Sequence, residues 1–98
     1  MSNLRSGRSI DSALCKKGFL KDPDGDHVNY YFLRRTGERS FIKTKMSHGM
    51  MGSTIDVNIL SLMAKQLHLT KKQFLHLIDC PLDEEGYRQI LRNAGFDV

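Results

Sequence analysis

The chain has 98 residues, of which 40% are hydrophobic and 27% charged, a size that fits one small domain and excludes a large multidomain enzyme. The formal net charge is +4, and it is unevenly distributed: residues 1–50 carry ten Lys or Arg against five Asp or Glu, whereas residues 51–98 carry five against six. The basic first half favours a polyanionic partner such as nucleic acid. No apolar run reaches the roughly 18 residues that a membrane helix needs, and the basic N-terminus is not followed by an apolar signal segment.

The two cysteines, Cys15 and Cys80, are too few and too far apart in sequence to staple a small secreted domain. We therefore expect reduced thiols in a soluble, cytoplasmic protein. The acidic turn at residues 22–26 does not have the spacing of a calcium loop, and His76 with Cys80 does not fit a zinc motif. We expect no metal and no cofactor.

The first predicted element is a short helix. Residues 1–8 are small, polar and basic without periodicity, which predicts a disordered tail. Ser9 is the predicted cap of a helix whose apolar stripe is Ile10, Ala13 and Leu14. Gly18 is expected to end this helix in the left-handed conformation.

Three segments rich in aromatic and β-branched residues follow, over residues 19–21, 27–34 and 38–46, and they predict a three-stranded antiparallel meander. The first turn covers residues 22–26. The second is a three-residue loop, 35–37, in which Gly37 supplies a positive φ. This loop predicts that Lys45 lies opposite His27.

The same register places Lys43 opposite Asn29 and divides the side chains of the hairpin between two faces, because successive residues of a strand point to opposite sides. The predicted core face collects Val28, Tyr30, Phe32, Ile42, Thr44 and Met46. The predicted outer face collects His27, Asn29, Tyr31, Leu33, Phe41, Lys43 and Lys45.

Three helices are predicted after a flexible link at residues 47–52. They are expected to begin at Ser53, Thr70 and Asp83. The first should be the main core helix, the second should open with a Thr70–Gln73 capping box, and the third should close at Gly95. The resulting α+β order is α-β-β-β-α-α-α, divided into a tail (1–8), a core (9–69) and a helical extension (70–98) packed on the core.

His27 is the strongest candidate for chemistry on the outer face. A histidine titrates near neutrality, and beside lysines it suits RNA cleavage, in which it moves a proton while the lysines stabilise the negative charge of the phosphorane. The alternative is a surface histidine at a strand end that bonds a turn carbonyl. His48, in the glycine-flanked loop after the third strand, is a possible assisting acid or phosphate ligand.

Basic residues near the hairpin tip extend this candidate site. Lys43 and Lys45, with Arg34, Arg35 and Arg39, form a predicted basic strip in which Tyr31 and Phe41 are able to stack on unpaired bases. The alternative is a solvated strand face whose lysines discourage edge pairing.

Three short motifs resemble the HicA family of toxin ribonucleases. They are Lys17-Gly18-Phe19, the segment Gly25-Asp26-His27-Val28-Asn29-Tyr30, and Met46-Ser47-His48-Gly49. The resemblance covers about residues 10 to 67. It implies a double-stranded-RNA-binding-like α-β-β-β-α core, cleavage of mRNA, neutralisation by a HicB-like antitoxin, and a catalytic role for His27.

The chain departs from the family pattern at two places. Asp26 stands where the family usually has Ser, which adds a negative charge beside His27. Two further helices extend the chain, and residues 87–96 also look like the family's closing helix, although the helix after Ser53 directly follows the His48-Gly49 loop. The sequence thus predicts a metal-independent HicA-like endoribonuclease. The alternatives are an RNA-binding module without catalysis and a protein-interaction domain that uses helices 70–96.

Overall fold

The structure, a computed structural model, describes residues 5–79 and 81–98. Over these residues it is an α+β fold with four helices and a three-stranded antiparallel sheet. The helices are α1 (Gly7–Lys16), α2 (Val57–Gln66), α3 (Lys71–Asp79) and α4 (Glu84–Asn93). The strands are β1 (Arg5–Ser6), β2 (Phe19–Asp24), β3 (His27–Leu33), β4 (Arg39–Ser47) and β5 (Thr54–Ile55), and a 3-10 turn, His48–Met50, follows β4.

The three-stranded sheet has the order β2-β3-β4, and one of its faces packs against the helices. Every residue of the predicted core face of β3 and β4 is buried, which confirms the predicted division between the two faces. Tyr87 of α4 stacks on Phe19, with 5.7 Å between ring centroids, and meets Phe32 edge-on at 4.8 Å. Phe74 of α3 is also fully buried. The predicted helical extension therefore contributes to the same core as the sheet.

The predicted register of β3 and β4 is correct at the hairpin tip only. The Arg34 N–H donates to the Glu38 carbonyl at 2.8 Å, Gly37 has a φ of 89°, and Leu33 lies opposite Arg39. An irregularity between Tyr31 and Leu33 then shifts the pairing. Its cause is a side chain, since Ser40 Oγ donates to the Phe32 carbonyl at 2.7 Å and accepts from the Ile42 N–H at 3.1 Å. The hydroxyl replaces part of the regular ladder, as in a β-bulge.

Beyond this bulge the predicted pairs of the two lysines are wrong. Lys45 lies opposite Asn29, Lys43 lies opposite Tyr31, and Ser47 lies opposite His27. The register has moved by two residues. Because side chains alternate with period two, this shift leaves every residue on its predicted face.

The N-terminal prediction also needs correction. Residues 5–8 are part of the fold, because Arg5 and Ser6 pair with Ile55 and Thr54, and helix α1 begins at Gly7. Its cap is Ser6, whose hydroxyl accepts from the Ser9 N–H at 3.1 Å, and not Ser9 itself. Residues 1–4 of the predicted tail lie outside the described residues, as does Cys80.

Two further boundaries differ from the prediction because strand pairing includes more residues than predicted. Helix α2 begins after Asp56, whose carboxylate accepts from the Asn58 N–H at 2.6 Å, because Thr54 and Ile55 are held in β5. Strand β2 continues to Asp24, which leaves Gly25 and Asp26 as the turn. Pro23 is tolerated there because β2 is an edge strand.

The caps of the last two helices follow the prediction. Thr70 and Gln73 form the reciprocal hydrogen bonds of a capping box, at 2.9 and 3.1 Å. Asp83 caps α4 through the Gly86 N–H at 2.7 Å, and Gly95 closes the helix with a φ of 96°. In the described part of the chain, no helix has the length and hydrophobicity needed to cross a membrane.

Candidate nucleic-acid interface

The outer face of the sheet carries most of the predicted site. His27, Lys43 and Lys45 are exposed, Tyr31 is half-buried, and 95% of the surface of Phe41 is accessible. These residues share a face because each lies an even number of positions from the others along its own strand. The structure therefore brings together an imidazole, two ammonium groups and two aromatic rings on one surface.

Tyr31 is the centre of a cation–aromatic cluster. The guanidinium carbon of Arg39 lies 4.6 Å from the centroid of its ring, and the ammonium of Lys43 lies 5.5 Å from it. Arg39 also forms an ion pair with Asp22 of β2 at 3.3 Å. We call Tyr31, Arg39 and Lys43 the Tyr31 cluster. It combines a flat ring with positive charge, the pair of properties that binds an unstacked base and its phosphate.

His27 lies at the end of β3, away from the hairpin tip. It is flanked by Asp24 on β2 and by Ser47 on β4. Although Lys45 is not directly opposite His27, the two residues line one cavity of about 160 Å³ whose other walls are largely apolar residues of α2, including Leu62. His27 and Lys45 thus both border the same cavity.

His48 lies beside the turn that precedes His27. Its backbone N–H donates to the Asp26 carbonyl at 3.3 Å, and its Nε2 lies 3.0 Å from the Gly25 carbonyl oxygen. The 3-10 turn therefore lies against the β2–β3 turn, at the His27 end of the sheet. A ring whose Nε2–H donates to Gly25 has only Nδ1 left for another partner.

The arginines at the hairpin tip do not all join the Tyr31 cluster. Arg35 forms an ion pair with Glu85 of α4 at 2.7 Å. Arg34 lines a separate small cavity with Phe96 and Val98, and its buried Nε has no hydrogen-bond partner. The predicted basic strip is therefore divided: Arg39, Lys43 and Lys45 lie on the sheet face, whereas Arg34 and Arg35 lie near the C-terminal part of the chain.

The carboxylates of β2 are the part of this surface that the sequence prediction omitted. Asp22 and Asp24 lie opposite Asn29 and His27, on the same face as the lysines. Their spacing of two residues from Leu20 was visible in the sequence, but the predicted β2 ended at Lys21. Two negative charges therefore border the site along β2, while the β4 side is basic.

Within residues 5–79 and 81–98, no group of three or more His, Cys, Asp or Glu side chains is placed to hold a metal ion. Comparison of the chain with protein-family models, with curated proteins and with solved structures finds no significant match. The geometry of the sheet face and the short motifs around His27 and His48 are therefore the features that bear on function.

Proposed function

We propose that the protein is a HicA-like ribonuclease that binds single-stranded RNA on the outer face of its sheet. The observation that carries the proposal is the placement of the Tyr31 cluster on the same face as His27 and Lys45, which line one cavity. A base stacked at Tyr31 and a phosphate at Lys45 would lead the RNA backbone past His27. General acid–base catalysis requires the histidine to lie within hydrogen-bond distance of the proton that it moves.

The proposed chemistry is intramolecular attack of an RNA 2′-hydroxyl on its own phosphodiester. His27 removes the proton from the 2′-oxygen, which forms a bond to phosphorus while the bond from phosphorus to the 5′-oxygen breaks. The proton that His27 accepted is passed to the leaving 5′-oxygen, so the products are a 2′,3′-cyclic phosphate and a 5′-hydroxyl. The ammonium of Lys45 stabilises the additional negative charge on the phosphoryl oxygens.

The order of the elements supports the same proposal. A helix, a three-stranded antiparallel meander and a second helix follow one another in α1, β2–β4 and α2, which is the order of a double-stranded-RNA-binding-like core. A toxin of this kind would act on mRNA in the cytoplasm and would be neutralised by a HicB-like antitoxin. Helices α3 and α4 bury Phe74, Leu77, Tyr87 and Leu91 in the core, so their apolar stripes are not available as a separate interaction surface.

The test is cleavage of labelled single-stranded RNA by wild-type protein and by His27→Ala, without added metal, with RNA retention on a filter measured in parallel. We expect His27→Ala to lose cleavage and to retain RNA affinity. His76→Ala is the matched control, because His76 is an exposed histidine on α3, and it should cleave like wild type. Equal cleavage by wild type and His27→Ala would contradict the proposed catalytic role.

The contribution of the Tyr31 cluster is tested by RNA affinity. Loss of one stacked base costs about 1–3 kcal/mol, so Tyr31→Ala should raise the Kd about 5- to 150-fold. Tyr31→Phe keeps the ring and should change the Kd little. An unchanged Kd for Tyr31→Ala would show that RNA does not bind at this cluster.

A second candidate function is RNA binding without cleavage. The observation that favours it is the negative charge around His27, since Asp24 lies opposite this residue and Asp26 precedes it. Carboxylates beside a phosphate site oppose phosphate binding there, while Tyr31 lies four residues away from His27 along β3. Retention of RNA by wild type and by His27→Ala, with no cleavage by either, is the result that this function predicts.

A further inference from the structure

The outer edge of β4 is the feature of this sheet that the proposed function does not use. β4 is the longest strand, at nine residues, and in the described part of the chain β3 is its one strand partner. An edge strand presents unpaired backbone N–H and C=O groups, and an extended chain is able to add to it. The residues around this edge determine which kind of chain it would accept.

A groove lies along this edge, between β4 and α2. Two adjoining cavities, of about 320 and 160 Å³, share Lys45 and Gln66 as wall residues. The first is also lined by Lys43 and Thr44, and Thr44 Oγ1 donates to Gln66 Oε1 at 2.6 Å. The second ends beside His27.

The two sides of this edge differ in chemistry. On the outer face of the sheet, Lys43 and Lys45 are exposed. On the face toward α2, the groove has apolar walls, which include Ile59, Leu62 and Met63, and Leu62 is 55% exposed. An added strand places alternate side chains on these two faces. Acidic residues would then lie beside the lysines, and apolar residues would cover Leu62.

A second copy of this chain does not satisfy that pattern through its own β4. Antiparallel pairing of two β4 strands centred on residues 43–45 brings lysine opposite lysine, and like charges directly opposite each other are destabilising. The lysines therefore disfavour pairing through β4, and Pro23, which has no backbone N–H, disfavours pairing through β2 of a second copy. An acidic strand of another protein is favoured.

We infer that β4 is a docking edge for an extended segment of a protein partner in which acidic and apolar residues alternate. The bound strand would extend the sheet, contact Lys43 and Lys45 with its carboxylates, and cover the cavity beside His27. Strand addition does not depend on the proposed ribonuclease activity. Its consequence does rest on that function: the partner would exclude RNA from the sheet face.

The first test uses the full chain and two synthetic peptides of identical composition, one alternating Glu with Val and the other with its Glu in one block. We expect the alternating peptide to bind at least about tenfold more tightly, because the block peptide cannot place carboxylates on one face and valines on the other. Hydrogen exchange followed by NMR should show new protection of edge-facing amides in residues 42–46. Strand β2 is the internal control, because it is the other edge of the sheet and carries Asp22 and Asp24 on the outer face.

Equal binding of both peptides, or equal protection of β2 and β4, would overturn the inference and indicate a general affinity for acidic chains. The second test reverses the charges. The double variant Lys43→Glu/Lys45→Glu should bind the acidic alternating peptide at least about tenfold more weakly and should bind a Lys-Val alternating peptide in its place. If the folded double variant still binds the acidic peptide more tightly than the Lys-Val peptide, the inference is also refuted.

The third test measures whether the alternating peptide displaces RNA from the protein. If the alternating peptide binds at β4 but does not displace RNA, strand addition stands and the proposed location of RNA is wrong. If RNA is bound and cleaved but no peptide protects β4, the proposed function stands and the docking edge is refuted. The two proposals therefore fail by different results.

Discussion

Lys17 provides the sharpest test of how the core is held together. Its side chain is buried, and its ammonium donates to two carbonyl oxygens, of Leu77 at 2.5 Å and of Leu82 at 2.7 Å. These carbonyls belong to α3 and to the segment that leads into α4, so Lys17 joins the end of α1 to both. A hydrogen bond to a charged group contributes about 1.5–3 kcal/mol, whereas removal of the ammonium also removes the cost of burying it. We expect Lys17→Met to lower the free energy of unfolding by about 2–4 kcal/mol.

The assay is urea unfolding followed by circular dichroism, with a thermal melt beside it. In a domain of this size each kcal/mol corresponds to about 4–8 °C in Tm. Lys16→Met is the matched control, because it makes the same substitution at the neighbouring exposed position and should change stability by no more than about 0.5 kcal/mol. If Lys17→Met and Lys16→Met are equally stable, the two carbonyl contacts do not hold α1 to α3.

Two further predictions concern stability. A Cβ on Gly7 would lie 2.1 Å from a backbone oxygen of the 3-10 turn, so Gly7→Ala should lower the free energy of unfolding in urea by more than about 2 kcal/mol. Gly49→Ala is the control and should have little effect, because a Cβ there would have nothing within 4 Å. Equal stability of the two variants would contradict the close approach at Gly7. Burial alone would raise the pKa of Asp11, but a hydrogen bond from Tyr30 and the contacts of Lys21 outweigh it and hold the pKa below its usual value. A depressed carboxyl pKa stabilises the fold above the unfolded pKa of about 3.9, and this stabilisation is lost as the pH falls through the folded value. Tyr30→Phe should therefore reduce the fall in unfolding free energy between about pH 5 and pH 2, and an unchanged pH dependence would refute this coupling.

The sequence predicted the two faces of the hairpin better than it predicted the pairing. Which face is buried depends on the alternation of Val28, Tyr30 and Phe32 with polar neighbours, and a shift of two residues preserves that alternation. The pairing itself depends on Ser40, whose hydroxyl bonds to backbone groups on both strands. A serine in a strand carries no pattern that distinguishes this arrangement from an ordinary exposed position.

The start of α1 could not be chosen from local sequence, because Ser6 and Ser9 are both good caps. The choice is made by a distant segment: the Gly7 N–H donates to the Ser53 carbonyl at 2.9 Å, which fixes the chain at the first turn of the helix. Ser53 immediately precedes β5, so the same contact holds Thr54 and Ile55 in that strand and delays the start of α2 until after Asp56. One long-range contact thus explains both misplaced boundaries.

The charge on the candidate interface also depends on contacts between distant parts of the chain. Glu85 pairs with Arg35, and Asp22 pairs with Arg39, whereas within the described residues Lys43 and Lys45 form no ion pair. Two unpaired cations neutralise few phosphates and so release few counterions from RNA. For a single strand, each neutralised phosphate contributes only about −0.7 to the slope of the logarithm of the binding constant against the logarithm of the salt concentration. Electrostatic attraction at this face is therefore small. It follows that stacking at Tyr31 should contribute more to RNA affinity than either lysine, and that an acidic strand with a full set of backbone hydrogen bonds would compete effectively for the same surface.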